Sequence, residues 1–143
     1  MITQQDLDRW RVSQIRTQSP MGLVVMLFDA LLLKVEEGRQ AIHDGQIEPA
    51  HNALMAAQDM LGGLSAVLNP DWGPTVNLRQ LYSFARRRIM DANFKKAAEP
   101  LDDVTPMLKT LRDTFAQVAE TSPSGQTAVE EEKESPRSLD FAG

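Results

Sequence analysis

Residues 21–33 read MGLVVMLFDALLL, apolar or glycine at every position except Asp29, and they follow Ser19-Pro20, a serine N-cap with proline at the first helical position. The run predicts a helix that is apolar on nearly all sides. A surface helix of a small domain keeps a polar face, so this one is either enclosed by neighbours or leaves apolar surface for a partner. A membrane span would need roughly 18 or more uninterrupted apolar residues. Lys34, Glu36 and Glu37 close the run too early for that, so no membrane insertion is expected.

Outward from this stretch, punctuation divides the chain into helical segments. The helix that begins at Pro20 should reach about His43 and stop at Asp44-Gly45. A second begins at Pro49 and stops before Asn69-Pro70, with Ala50, Ala53, Leu54, Ala57, Leu61, Leu64 and Leu68 at helical spacing. Gly62-Gly63 inside it predicts a close crossing or a local bend. After the turn-forming stretch Asn69-Pro70-Asp71-Trp72-Gly73-Pro74, another helix carries Leu78, Tyr82, Ala85, Ile89 and Ala92, its face widened by Leu81 and Phe84. The last carries Leu101, Val104, Leu108, Leu111, Phe115 and Val118; at Pro106 either a continuous helix kinks, the favoured reading, or Thr105-Pro106 restarts it as cap and first residue. No segment alternates with period two for long enough to be a strand. The fold class expected is therefore all-α, an antiparallel four-helix bundle over residues 19–120.

Two flanking segments differ from the bundle. Residues 1–18 hold a weak helical pattern with Thr3 as N-cap and sparse apolar positions at Leu7, Trp10 and Ile15. They show no charged-then-apolar layout of a cleavable leader. Residues 121–143 are polar, acidic and proline-containing, and are expected to be a disordered tail. The net charge is −5, of which −3 falls in the tail, where five acidic residues face two basic ones. A nucleic-acid partner is not expected, because no basic field is present to displace counterions. With no cysteine, disulfides and thiolate metal sites are excluded.

Little in the chain suggests catalysis. His43 and His51 flank a loop and do not make up a usual metal-ligand set, so no metal or other cofactor is expected. His51 raises the alternative of a phosphotransfer module, but Leu54-Met55 stands where a cation and a glycine would steady the phosphate. On a helix, Arg86-Arg87-Arg88 fan over about 200° and cannot form one patch; one of them could still pair with an acidic partner residue. Glu36-Glu37 and Asp102-Asp103 are sequence neighbours that point apart, so they make no acid/base pair. There is no nucleophile motif or glycine-rich phosphate loop. The chain does not read as an enzyme.

Placed on these helices, Thr17-Gln18-Ser19-Pro20 followed by Leu23, then Met26-Leu27-Phe28-Asp29, and later Leu81-Tyr82, Arg87-Arg88 and Ala92-Asn93 resemble the flagellar secretion chaperone family FliS in order and spacing. The resemblance implies a cytoplasmic export chaperone for flagellar type III secretion. It further implies that the chain binds the C-terminal segment of flagellin, keeps it from polymerising early and meets components of the flagellar export apparatus.

Under this reading Leu23, Met26, Leu27, Leu81, Tyr82 and Ile89 supply or border an apolar groove, and Asp29, Arg88 and Asn93 contribute polar contacts. Each apolar member also reads as core, the commoner role of a wide helical stripe. Asp29 amid apolar neighbours should find an arginine, a backbone donor or the guest. Asn93 either caps its helix or bonds a neighbouring segment. A generic helical adaptor for another amphipathic helix is the other reading of the same surface. Leu7, Trp10 and Ile15 are candidates to cover the groove in the free protein. Deleting residues 1–16 should then tighten peptide binding in a calorimetric titration or promote aggregation seen by light scattering; if neither changes, the segment is only a tether.

Overall fold

A computed structural model describes residues 3–6 and 20–121. Four helices account for most of the latter: α1, Pro20–His43; α2, Ile47–Ala66; α3, Thr75–Lys95; and α4, Glu99–Thr121. There is no β-strand among the described residues, and the bundle is the expected all-α architecture. Near the start of the chain, Thr3 caps the helical turn over residues 4–6: Asp6 N–H donates to Thr3 Oγ1 at 3.1 Å, and Thr3 N–H to Asp6 Oδ2 at 3.2 Å. Leu7, Trp10 and Ile15, Ser19 and the acidic tail from residue 122 lie outside the described residues.

Each helix ends for a local reason. Gly45 takes positive φ, and Gln46 N–H closes on Ala41 O at 2.8 Å, the left-handed turn that terminates α1. Between α2 and α3, Asp71 N–H donates to Asn69 Oδ1 at 2.9 Å, and buried Thr75 donates its hydroxyl to Asn69 O. The same loop places Trp72 half-buried against the core. At the end of α3, Lys96 adopts φ 52° and ψ 47°, and Ala97 N–H reaches Ala92 O at 3.1 Å. The cost of a left-handed lysine is offset by its Nζ, which donates to Asn93 O and, at 2.9 Å, to Asn93 Oδ1. Pro106 lies on the exposed side of α4, which runs through it without a restart; beside it Thr105 Oγ1 donates to Leu101 O at 2.9 Å.

Helices adjacent in sequence pack together, and α1 also packs on α4, so the four close into a ring. Two cross-helix ion pairs set the α1–α4 register: Arg39 with Asp102, and Arg112 with Asp29. They sit ten residues apart on each helix and in opposite order, as antiparallel packing requires. Inside the ring, Phe28 of α1 stacks on Phe115 of α4 at 5.6 Å between ring centroids and meets Tyr82 of α3 edge-on at 6.2 Å. Met21, Leu31, Leu54, Leu61, Leu64, Ile89, Leu101 and Leu108 complete a closed core.

The close helix approach falls at Gly38, not at the Gly62-Gly63 pair. Both of those glycines are exposed with open space where a Cβ would stand, so the expected crossing there is not found. A Cβ at Gly38 would lie 2.8 Å from Leu54 Cγ, and Leu54 is fully buried with no room to swing aside. Overpacking of this kind costs about 1–3 kcal/mol, more than the roughly 1 kcal/mol of helix propensity alanine gains over glycine. Gly38→Ala should therefore lower the urea midpoint, with a net loss of up to about 2 kcal/mol.

Burial pushes the Tyr82 phenol well above its ordinary pKa of 10.0. Its folded pKa exceeds the unfolded value, so the stability it contributes is complete below pH 10 and is lost as pH rises beyond it. Wild type should lose stability above pH 10 more steeply than Tyr82→Phe in chemical denaturation series.

Candidate functional site

The closed core leaves large apolar side chains outside it. On α1, Leu23 is 51% exposed and Met26 41%, and Leu33 is exposed as well. At helical spacing these three form one stripe, turned away from the face that buries Phe28, Leu31 and Val35. Leu27 sits half-buried at the edge of the same helix. The near-continuous apolar run is thus divided between core and surface. Neither alternative at the sequence level, enclosure or exposure, is complete, because α1 has α2 and α4 as packed neighbours and an outer side that neither covers.

A second apolar surface follows the seam between α3 and α4. Leu81 and Phe84 are exposed on α3, two turns and one turn before Arg88 on the same flank. Arg88 pins the seam by donating to Asp103 Oδ2 at 2.6 Å through Nη2, and to Asp91 Oδ2 at 3.1 Å through Nη1. Antiparallel register from that pair brings Met107 and Leu111, both half-buried, alongside Phe84 and Leu81.

A third surface lies on the outer flank of α2 and α3, where Met55, Met90 and Phe94 are exposed. Phe94 is 88% exposed, so it contributes almost nothing to the core. Met55, Met90 and Phe94 were not singled out in the sequence, although a signal was there: Phe94 stands opposite the stripe of Leu78, Tyr82, Ala85, Ile89 and Ala92. An aromatic off the buried stripe of an otherwise regular helix marks surface, not core.

Of the apolar residues read as either groove or core, Tyr82 and Ile89 take the core role. Tyr82 and Ile89 are buried, Tyr82 against Phe28, and in this structure they offer almost no surface to a partner. They point inward because they share a face with Ala85 and Ala92. Nor do Leu23 and Met26 share a groove with Leu81: α1 and α3 stand diagonally across the ring, so their exposed side chains occupy separate faces.

The polar candidates are all engaged within the bundle. Asp29 is exposed and receives Arg112 in a fork, Nε to Oδ1 at 2.8 Å and Nη2 to Oδ2 at 3.4 Å. Donating to Asp29 raises the Arg112 pKa further above its ordinary value, so the guanidinium stays charged. Asn93 is buried and joins α3 to α2: its Nδ2 donates to His51 Nδ1 at 3.1 Å, while its Oδ1 accepts Lys96. Of the two roles weighed for Asn93, the amide does both, bonding a neighbouring helix and closing its own end. Among the described residues, no group of three His, Asp or Glu side chains is arranged to hold a metal ion.

Comparison with known proteins matches the sequence of this chain to one family. The family model described as flagellar protein FliS matches residues 3–122. A protein named flagellar secretion chaperone FliS from Vibrio cholerae is 30% identical over 108 residues, covering 74% of this chain and 79% of that one. Proteins of the same name from Salmonella typhimurium and Bacillus subtilis are 27% and 24% identical; the matches cover 75% and 85% of this chain, and 82% and 91% of theirs. With nearly the whole bundle inside the family match, the chain belongs to the FliS family of flagellar proteins.

Proposed function

We propose that this chain is a cytoplasmic chaperone of flagellar secretion, and that it holds the C-terminal segment of newly made flagellin until components of the export apparatus receive it. The observation that carries the reading is the exposure of Leu23, Met26, Leu81 and Phe84 on a bundle whose core is already closed. Large apolar side chains in excess of a core's needs mark a protein-binding surface. Their distribution over separate faces suits an unfolded guest that wraps the bundle, since a disordered segment can cover a wide surface that a rigid partner cannot. Such coupled folding typically buries about 1,000–3,000 Å² and spends a few kcal/mol ordering the guest. Covering the guest's apolar residues removes the surface through which it would polymerise.

In this reading Leu23, Met26, Leu27 and Leu81 contact the guest. Met26 adapts to an irregular surface through its flexible thioether. Tyr82 and Ile89 support the contact helices from inside. Asp29, Arg88 and Asn93, already satisfied within the bundle, fix the helix register on which the contact surface depends. Residues 1–18 supply Leu7, Trp10 and Ile15 as a cover for the α1 stripe, which begins directly after them. The function is binding, and no step of it calls for a catalytic group. No helix of the described residues is long and apolar enough to cross a membrane.

Calorimetric titration at several temperatures, with the C-terminal segment of flagellin from the same organism, tests the proposal. A saturable complex with a clearly negative heat-capacity change is expected. Met26→Glu should weaken that complex by at least about tenfold, because a carboxylate would be buried against the guest, and should leave the far-UV helical signal unchanged. The absence of heat at every temperature from a folded chain would reassign the surface to another amphipathic helix.

A further inference from the structure

Three of the six described arginines pair with carboxylates, Arg39, Arg88 and Arg112, and Arg87 donates to Ser83 Oγ at 3.1 Å. Arg79 and Arg86 bond no described residue, and both line one cleft between α2 and α3. They stand two turns apart on one flank of α3, about 10 Å along the helix axis. The opposite wall is Leu61, Gly62 and Ser65 of α2, and Gly62 leaves open space where a side chain would stand. The cleft has a volume of about 130 Å³, and no acidic residue lines it. Ser83, which accepts from Arg87, keeps its own O–H to donate. The cleft therefore offers two cations and hydroxyl donors with no carboxylate of its own to pair them, a recess suited to carboxylates.

We infer that this cleft is the docking site of the chain's own acidic run, Glu130-Glu131-Glu132 with Glu134, which covers it in the free protein. Charge and reach both favour this occupant. The run holds four of the five acidic residues in the −3 segment that follows α4. In an extended strand Glu130, Glu132 and Glu134 share one side at intervals of about 7 Å, which brackets the spacing of the two arginines. Helix α4 ends at Thr121, at the same end of the bundle as the start of α3, because the two are antiparallel neighbours. The nine residues from there to Glu130 span up to about 30 Å, enough to pass the width of α3. Tethering gives the run an effective concentration on the order of millimolar, so individually weak surface contacts suffice to populate the docked state. A guest that needs the cleft must displace the run, and added salt weakens the cover.

Paramagnetic broadening in the full-length chain tests this. The chain has no cysteine, so Val129→Cys places a single nitroxide beside the run without altering its charge. At low ionic strength the amide signals of Gly62, Ser65 and Ser83 should lose more than half their intensity, while those of Ala30 and Asp113, on other faces, keep theirs. High salt or Arg79→Glu with Arg86→Glu should restore the lost signals. Changing Glu130, Glu131, Glu132 and Glu134 to Lys in that double variant should bring the broadening back. Uniform broadening, or broadening that survives the arginine changes, overturns the proposal. It is also overturned if the broadening arises only between labelled and unlabelled molecules. If inorganic phosphate moves the Gly62 and Ser65 signals of a chain whose label leaves them sharp, the cleft is a free-anion site and the proposal fails.

Discussion

The burial of Phe28 fixes the orientation of everything around it. Its ring has no exposure, stacks on Phe115 of α4 and meets Tyr82 of α3, so it ties α1 to a neighbour and to the helix diagonally opposite. Contact across the diagonal is scarce in a four-helix ring, and a large aromatic is what spans it. Once Phe28 points inward, helical geometry leaves no freedom for the rest of α1. Leu31 and Val35 follow it into the core, and Leu23, Met26 and Leu33 are carried outward. The apolar surface is a consequence of the same rotation that fills the interior.

Polar contacts then set how the helices slide against one another. Arg39–Asp102, Arg112–Asp29 and Arg88–Asp103 each join two helices, and in each the carboxylate is exposed while the arginine is partly covered. Pairs of this kind contribute about 0–1 kcal/mol apiece, so their role is register rather than overall stability. The Asn93–His51 contact does the same for α2 and α3 from a buried position, where an unsatisfied amide would be costly. Against this pattern Arg79 and Arg86 stand out, since every other described arginine has found an acceptor inside the bundle.

Surface composition and function are linked by the same economy of packing. A core closed by Phe28, Leu54, Leu61, Ile89 and Leu108 has no use for Leu81, Phe84 or Phe94, which bring only the liability of exposed apolar area. Under the proposed function such area is the contact surface, and several separated faces would let a flexible guest make many modest contacts in place of one deep one.

Much of the fold was legible in the chain itself. The limits of α1, the loop from Asn69 to Pro74, the continuity of α4 and the antiparallel order follow from caps, turn residues and the three-four alternation of apolar positions, all of which are local. The ordered motifs around Leu23, Met26 and Leu81-Tyr82 were also sufficient to point to the family, and an arginine was one of three partners open to Asp29. The division of apolar residues between core and surface was not legible. Tyr82 and Leu81 are neighbours of similar apolar character, yet one is buried and the other exposed, because that depends on which flank α2 and α4 cover. Gly62-Gly63 was the expected place for a close crossing or a bend, and only packing decided that the close approach belongs to Gly38. Periodicity fixes what lies on one side of a helix, whereas the neighbours that cover that side come from segments distant in the chain, and their placement is a property of the assembled bundle alone.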